Sequence, residues 1–98
     1  MDDWSNRDRF LQYERSVLGS ILVCDSEFAR VARSIRPTDF TLAAHRIIFR
    51  TMAEIYGRGE RIDRVVLTNE LMKHNQLGLV GGVPYLAFLD DDVSTDGG

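Results

Sequence analysis

The chain reads as an all-α protein, a compact orthogonal bundle of about five helices, on three observations. Leu42, His45, Ile48, Phe49, Met52, Ile55 and Tyr56 recur at steps of three and four, which places them on one side of a helix, while Arg46, Arg50 and Glu54 fall on the other. Each remaining apolar run also fits a helical period better than an alternation of two. Prolines and glycines then divide the sequence into segments of helix length.

Residues 1–9 are polar and acidic with one tryptophan, Trp4, and are expected to form a flexible arm. The first helix is expected over 10–23, with Leu11, Val17, Leu18, Ile21 and Leu22 inward and Gln12, Glu14 and Arg15 outward. Gly19 and Ser20 within it leave room for a close helix neighbour, although glycine lowers helix propensity by up to about 1 kcal/mol. Asp25 or Ser26 offers a cap for a short second helix, in which Phe28, Val31, Ala32 and Ile35 face inward and Arg30 and Arg33 outward. Pro37 ends it, and Thr38 and Asp39 favour a turn that brings Phe40 to the core.

The stretch 41–59 is the expected central helix, with Thr41 as its cap and Gly57 and Gly59 at its tail. Its wide apolar face requires cover and is expected to hold the other four helices. Asp63 is a good cap for a fourth helix ending near Asn75, with Val66, Leu67 and Leu71 inward and Arg64, Glu70 and Lys73 on the polar side. Residues 77–82 form a glycine-rich loop. Pro84 suits the first turn of a fifth helix that buries Tyr85, Leu86, Phe88 and Leu89. The head therefore spans 10–90, and the acidic stretch 91–98 is expected to be a linker.

The composition belongs to a folded protein: 98 residues, 44% of them hydrophobic. No apolar run approaches the roughly 20 residues needed to span a bilayer, and the first residues lack the pattern of a signal peptide, so a cytoplasmic protein without membrane association is expected. Twelve basic residues against 15 acidic ones disfavour nucleic acid as a direct partner. The single cysteine, Cys24, is expected to be a small buried hydrophobe.

No catalytic, cofactor-binding or metal-binding constellation is expected. His45 and His74 lie in no His-x-x-x-His or Glu-x-x-His pattern. His45 is expected on the inner edge of the central helix and His74 near a helix C-terminus, where the dipole favours it. The glycines of 78–82 lack the lysine and the preceding strand of a phosphate loop. Asp90, Asp91 and Asp92 are expected to be solvated.

Several words, in order, resemble one family. They are Glu14-Arg15-Ser16-Val17-Leu18-Gly19-Ser20-Ile21-Leu22, Pro37-Thr38-Asp39-Phe40, His45-Arg46-Ile47-Ile48-Phe49, Ile62-Asp63, and Val80-Gly81-Gly82 with Tyr85-Leu86. Together they resemble the N-terminal domain of the bacterial replicative DNA helicase, the DnaB type, over about residues 12–90. That resemblance implies an all-helical, non-catalytic head in front of a helical hairpin and an ATPase domain, where ATP and Mg would be the cofactors. It also implies a place in the collar of a hexamer, with sister subunits, a primase and a helicase loader as partners. Arg30, Arg33, Arg46 and Arg50, exposed on the helical reading, are candidate interface residues, because guanidinium groups suit planar, partly buried pairing. Two other readings stand beside it: the helicase-binding C-terminal domain of a primase, which is similar in fold, and a small stand-alone helical binding protein.

Overall fold

In the computed structural model, the described residues are 2–94 for the backbone and 9–91 for the side chains. Five α-helices follow one another: α1 (Asp2–Val23), α2 (Glu27–Ala32), α3 (Ala43–Gly57), α4 (Arg64–Lys73) and α5 (Gly82–Ser94). Two 3-10 turns, Pro37–Asp39 and Gly78–Val80, lie before α3 and α5. The described residues contain no strand. The Cα radius of gyration is 13.0 Å, the value expected of a compact domain of this length.

Helix α1 begins at Asp2, eight residues before the start expected from its apolar pattern. Nothing in 2–9 is a glycine or proline, so the sequence there carries no helix breaker. The side chain of Trp4 lies outside the described residues. At the other end α5 continues to Ser94, so helix extends into the expected linker, of which 95–98 lie outside the described residues.

The core draws on every helix. Leu18 and Ile21 of α1, Ile48, Met52 and Ile55 of α3, Leu67 and Leu71 of α4, and Leu86 and Leu89 of α5 are fully buried. Phe49 sits between Phe28 and Phe40, with ring centroids 5.1 and 5.0 Å away, so Phe40 does plug the core after the Pro37 turn. Helix α3 packs against α1, α2 and α4, while α5 lies chiefly along α1, in the most extensive helix pairing of the fold. The central helix also meets α5, where the His45 and Tyr85 side chains touch, so it contacts all four other helices. Gly19 is buried within α1.

Capping follows the sequence at one end and departs from it at two. The Asp63 carboxylate accepts from the Val66 N–H at 2.9 Å and starts α4 as expected; caps of this kind contribute about 1 kcal/mol. Helix α3, in contrast, has Leu42 at its N-cap and no side-chain cap. The Thr41 hydroxyl and N–H both donate to the Glu14 carboxylate instead, a charged acceptor that forms stronger hydrogen bonds than a neutral one. Helix α2 likewise has no side-chain cap: Asp25 accepts from the Ile62 N–H at 3.3 Å, tying the turn after α1 to the segment before α4.

Other expected burials also change. Cys24 is exposed, with Sγ 3.2 Å from the Ser26 hydroxyl, because α1 ends at Val23 and the chain turns outward there. Ala32 is exposed at the end of α2. Phe88 is 48% exposed at the edge of the α5 stripe, with the Arg15 guanidinium over its ring at 5.9 Å. Asp90 is not simply solvated but pairs with Arg64 of α4 at 3.3 Å.

Candidate functional site

Three polar or apolar features stand out against this framework. The first is buried. Glu14, expected on the outer face of α1, is only 7% exposed, and its carboxylate takes hydrogen bonds from Thr41 and from His45 Nδ1, the latter at 2.7 Å. His45 is fully buried, and its Nε2 lies 2.6 Å from the Tyr85 hydroxyl. A neutral imidazole protonated on Nδ1 satisfies every group: it donates to Glu14 and accepts from Tyr85. The Tyr85 and His45 rings are also stacked, 5.9 Å apart. This network joins α1, α3 and α5 through side chains 31 and 40 residues apart in sequence.

Burial pushes the Glu14 carboxyl upward, but hydrogen bonds from His45 and Thr41 outweigh it and hold the group below its ordinary value of 4.5. Burial pushes the Tyr85 hydroxyl up, keeping it a donor. A carboxyl whose pKa is lower folded than unfolded contributes stability that is complete above the unfolded value and lost as the pH falls below it toward the folded one. Acid titration of the folded protein, followed by circular dichroism, is expected to show stability declining from about pH 5 downward. The E14Q variant is expected to decline less steeply over the same window. An unchanged slope in E14Q would mean that Glu14 does not contribute to the acid sensitivity.

The second feature is a surface charge cluster between α3 and α4. Glu70, expected on the polar side of α4, is 5% exposed and accepts two hydrogen bonds from Arg58, at 3.0 and 3.1 Å. Arg58 also holds Glu60 at 3.0 Å, and Lys73 lies 3.6 Å from Glu70. The Arg58 hydrogen bonds, assisted by His74 and opposed by burial, bring the Glu70 carboxyl down to about 2. His74 Nε2 is 3.1 Å from Glu70 and 3.8 Å from Glu54 of α3. His74 therefore engages specific carboxylates near the helix end.

The third feature is an apolar groove beside α1. A cavity of about 230 Å³ is lined by Phe10, Tyr13, Val17, Ile35 and Phe40, with Glu14 and Asp39 at its polar margin. A neighbouring depression of about 310 Å³ lies between α1 and α2 and includes Tyr13, Val31 and Arg30. Phe10 and Tyr13 are 62% and 61% exposed, an unusual concentration of aromatic surface.

The four candidate interface arginines divide into two kinds. Arg30 is largely exposed and pairs with Glu27 at 2.6 Å on the rim of the groove. Arg33 at the end of α2 and Arg50 on α3 are exposed. Arg46 is turned to another task, donating to the Phe40 and Thr41 carbonyls at 2.7 and 3.1 Å and closing the turn into α3. Helical spacing alone placed Arg46 with Arg50; the turn carbonyls that redirect it belong to residues five and six positions earlier. The aromatic groove escaped the sequence because Phe10 marks the apolar period of α1 equally well whether it faces core or solvent.

Comparison with known proteins gives one consistent result. Residues 8–97 match the family model described as the DnaB-like helicase N terminal domain. The chain is 38% identical over 85 residues to the replicative DNA helicase DnaB of Geobacillus stearothermophilus, a match covering 87% of this chain and 19% of the relative. It is also 38% identical over 85 residues to the DnaB helicase of Mycobacterium leprae, there covering 87% of this chain and 14% of the relative. The crystal structure of the N-terminal domain of DnaB helicase from Mycobacterium tuberculosis superposes with a TM-score of 0.81 at 38% identity, over 83% of this chain and 59% of that one. The chain thus spans less than a fifth of the length of these helicase relatives.

Proposed function

The chain belongs to the DnaB-like helicase N-terminal domain family, and from that premise we propose that it is the non-catalytic assembly head of a cytoplasmic replicative helicase. The observation that carries this reading is the family match across residues 8–97. In this reading the head takes its place in the collar of a hexamer, meets sister subunits and supports recruitment of a primase and a loader. ATP, Mg and unwinding belong to the ATPase domain of the whole protein, and nucleic acid is not a direct ligand of the head.

The exposed groove supplies surface suited to such contacts. Aromatic residues and arginine are the types enriched at the energetic centres of interfaces, and Phe10, Tyr13 and Arg30 lie together along α1 and α2. Charge reversal at Arg30, Arg33 and Arg50 in the full-length helicase is expected to weaken hexamer formation or primase capture by roughly tenfold or more, as loss of an interface contact worth about 1.4 kcal/mol would. R46E is expected to weaken folding instead, because Arg46 is committed to the turn before α3. Analytical ultracentrifugation and primase pull-down provide the readout. If the three exposed variants assemble and capture primase as the parent does, these arginines are solvated side chains and the interface lies elsewhere.

A further inference from the structure

The surface cluster between α3 and α4 contains a second possibility that has nothing to do with subunit contacts. Glu54, Glu70 and His74 each present one ligand atom, and all three atoms lie within 4.8 Å of one another. Glu70 on α4 and His74 at its C-cap are four residues apart and so lie on the same side, while Glu54 comes from the last part of α3. We propose that Glu54, Glu70 and His74 form a zinc-class divalent metal site that clamps the C-terminal end of α3 to α4.

The geometry suits a small tetrahedral ion. Zinc takes imidazole nitrogen at about 2.0–2.1 Å and carboxylate oxygen at about 2.0–2.2 Å, so neighbouring ligand atoms around it lie roughly 3.3–3.5 Å apart. The two edges that meet at His74 Nε2 measure 3.1 and 3.8 Å and bracket that spacing. Glu54 and His74 are each about half exposed, leaving them free to close the wider edge, whereas Glu70 is buried and fixed by Arg58. A fixed central ligand with two adjustable ones avoids ordering the whole site on binding. Zinc on Glu70 Oε2 replaces the proton shared with His74 and the Arg58 Nη1 hydrogen bond to that oxygen at 3.1 Å, while the Arg58 Nη2 contact to the other Glu70 oxygen, at 3.0 Å, is left in place.

Charge and ligand type point the same way. The carboxylates of Glu54, Glu60 and Glu70 outnumber the cations Arg58 and Lys73, so the cluster has room for added positive charge. One imidazole with two carboxylates is a zinc-type donor set. Calcium requires six to eight oxygens, and magnesium favours an octahedron of oxygens with retained water.

The test is calorimetric titration of the chain with Zn²⁺ alone, alongside C24S, H74Q and E54Q variants. One equivalent of zinc is expected to bind the parent and C24S equally, raising the thermal midpoint of both. H74Q and E54Q are each expected to weaken binding by at least about tenfold. Both are substitutions of half-exposed residues, and circular dichroism checks that they fold. Co²⁺ in place of zinc is expected to give the visible absorption of a tetrahedral site in the parent and to lose it in H74Q. The proposal is overturned if the parent shows no saturable binding, if C24S abolishes it, or if H74Q or E54Q binds zinc as tightly as the parent.

Discussion

The H45A variant is expected to be less stable than the parent by roughly 3–4 kcal/mol. Three losses combine. The fully buried ring leaves a void, the Tyr85 hydroxyl loses its acceptor, and the Glu14 carboxylate keeps its Thr41 hydrogen bonds but loses the one at 2.7 Å. The last matters most, since a buried charged acceptor left partly unpaired costs more than a neutral one. For a domain of this length the change corresponds to a fall in the thermal midpoint on the order of 15 °C. Y85F removes only one hydroxyl and is expected to cost about 1–2 kcal/mol. In a double-mutant cycle the two changes should be strongly non-additive, because both act on the same hydrogen bond. Urea denaturation with an unchanged m-value measures each difference. A loss below about 1 kcal/mol in H45A would show that water or a rearranged Glu14 replaces the imidazole.

That network also marks the boundary of what the sequence made legible. The α3 period from His45 to Ile55, the Asp63 cap, the Phe40 plug and the five-helix order all depend on residues within a few positions of one another, and these agree with the structure, whereas Leu42 and Tyr56 at the ends of the expected stripe are exposed. Glu14 did not, because a glutamate on an amphipathic helix belongs outside unless it has partners, and its partners lie 27 and 31 residues away. Thr41 failed for the same reason: next to a helix start it has the chemistry of a cap, and only the position of Glu14 turns its hydroxyl the other way. Glu70 repeats the pattern at the surface, drawn inward by Arg58 from twelve residues before. The words that carry the family resemblance include Glu14, His45 and Tyr85, but nothing in their spacing brings the three together.

At the Gly81-Gly82 turn, the G81A variant is expected to lose about 2–3 kcal/mol and to do so through the same network. Gly81 has φ of +104°, a conformation that L side chains rarely adopt, so alanine is strained there whatever the space around it. Space is also lacking. A Cβ at this position would lie 2.8 Å from Tyr85 Cβ and 3.2 Å from Cγ, at the root of the side chain, where rotation offers little relief. Either the turn or the first part of α5 must shift, and Tyr85 moves with it, away from His45. Gly82 provides the contrast. Its φ of +73° also disfavours alanine, but the nearest atom is Pro84 Cδ at 3.4 Å, an ordinary contact, so G82A is expected to cost only about 1 kcal/mol. Backbone strain already predicts the larger loss at 81, whose φ lies further from the left-handed region open to L residues, but a loss that does not depend on Tyr85; displacement of Tyr85 adds to it, and that added loss shrinks in a Y85F background. Equal destabilisation of G81A and G82A, independent of the Tyr85 hydroxyl, would separate the turn from the network and leave the tight approach at Gly81 without consequence for His45.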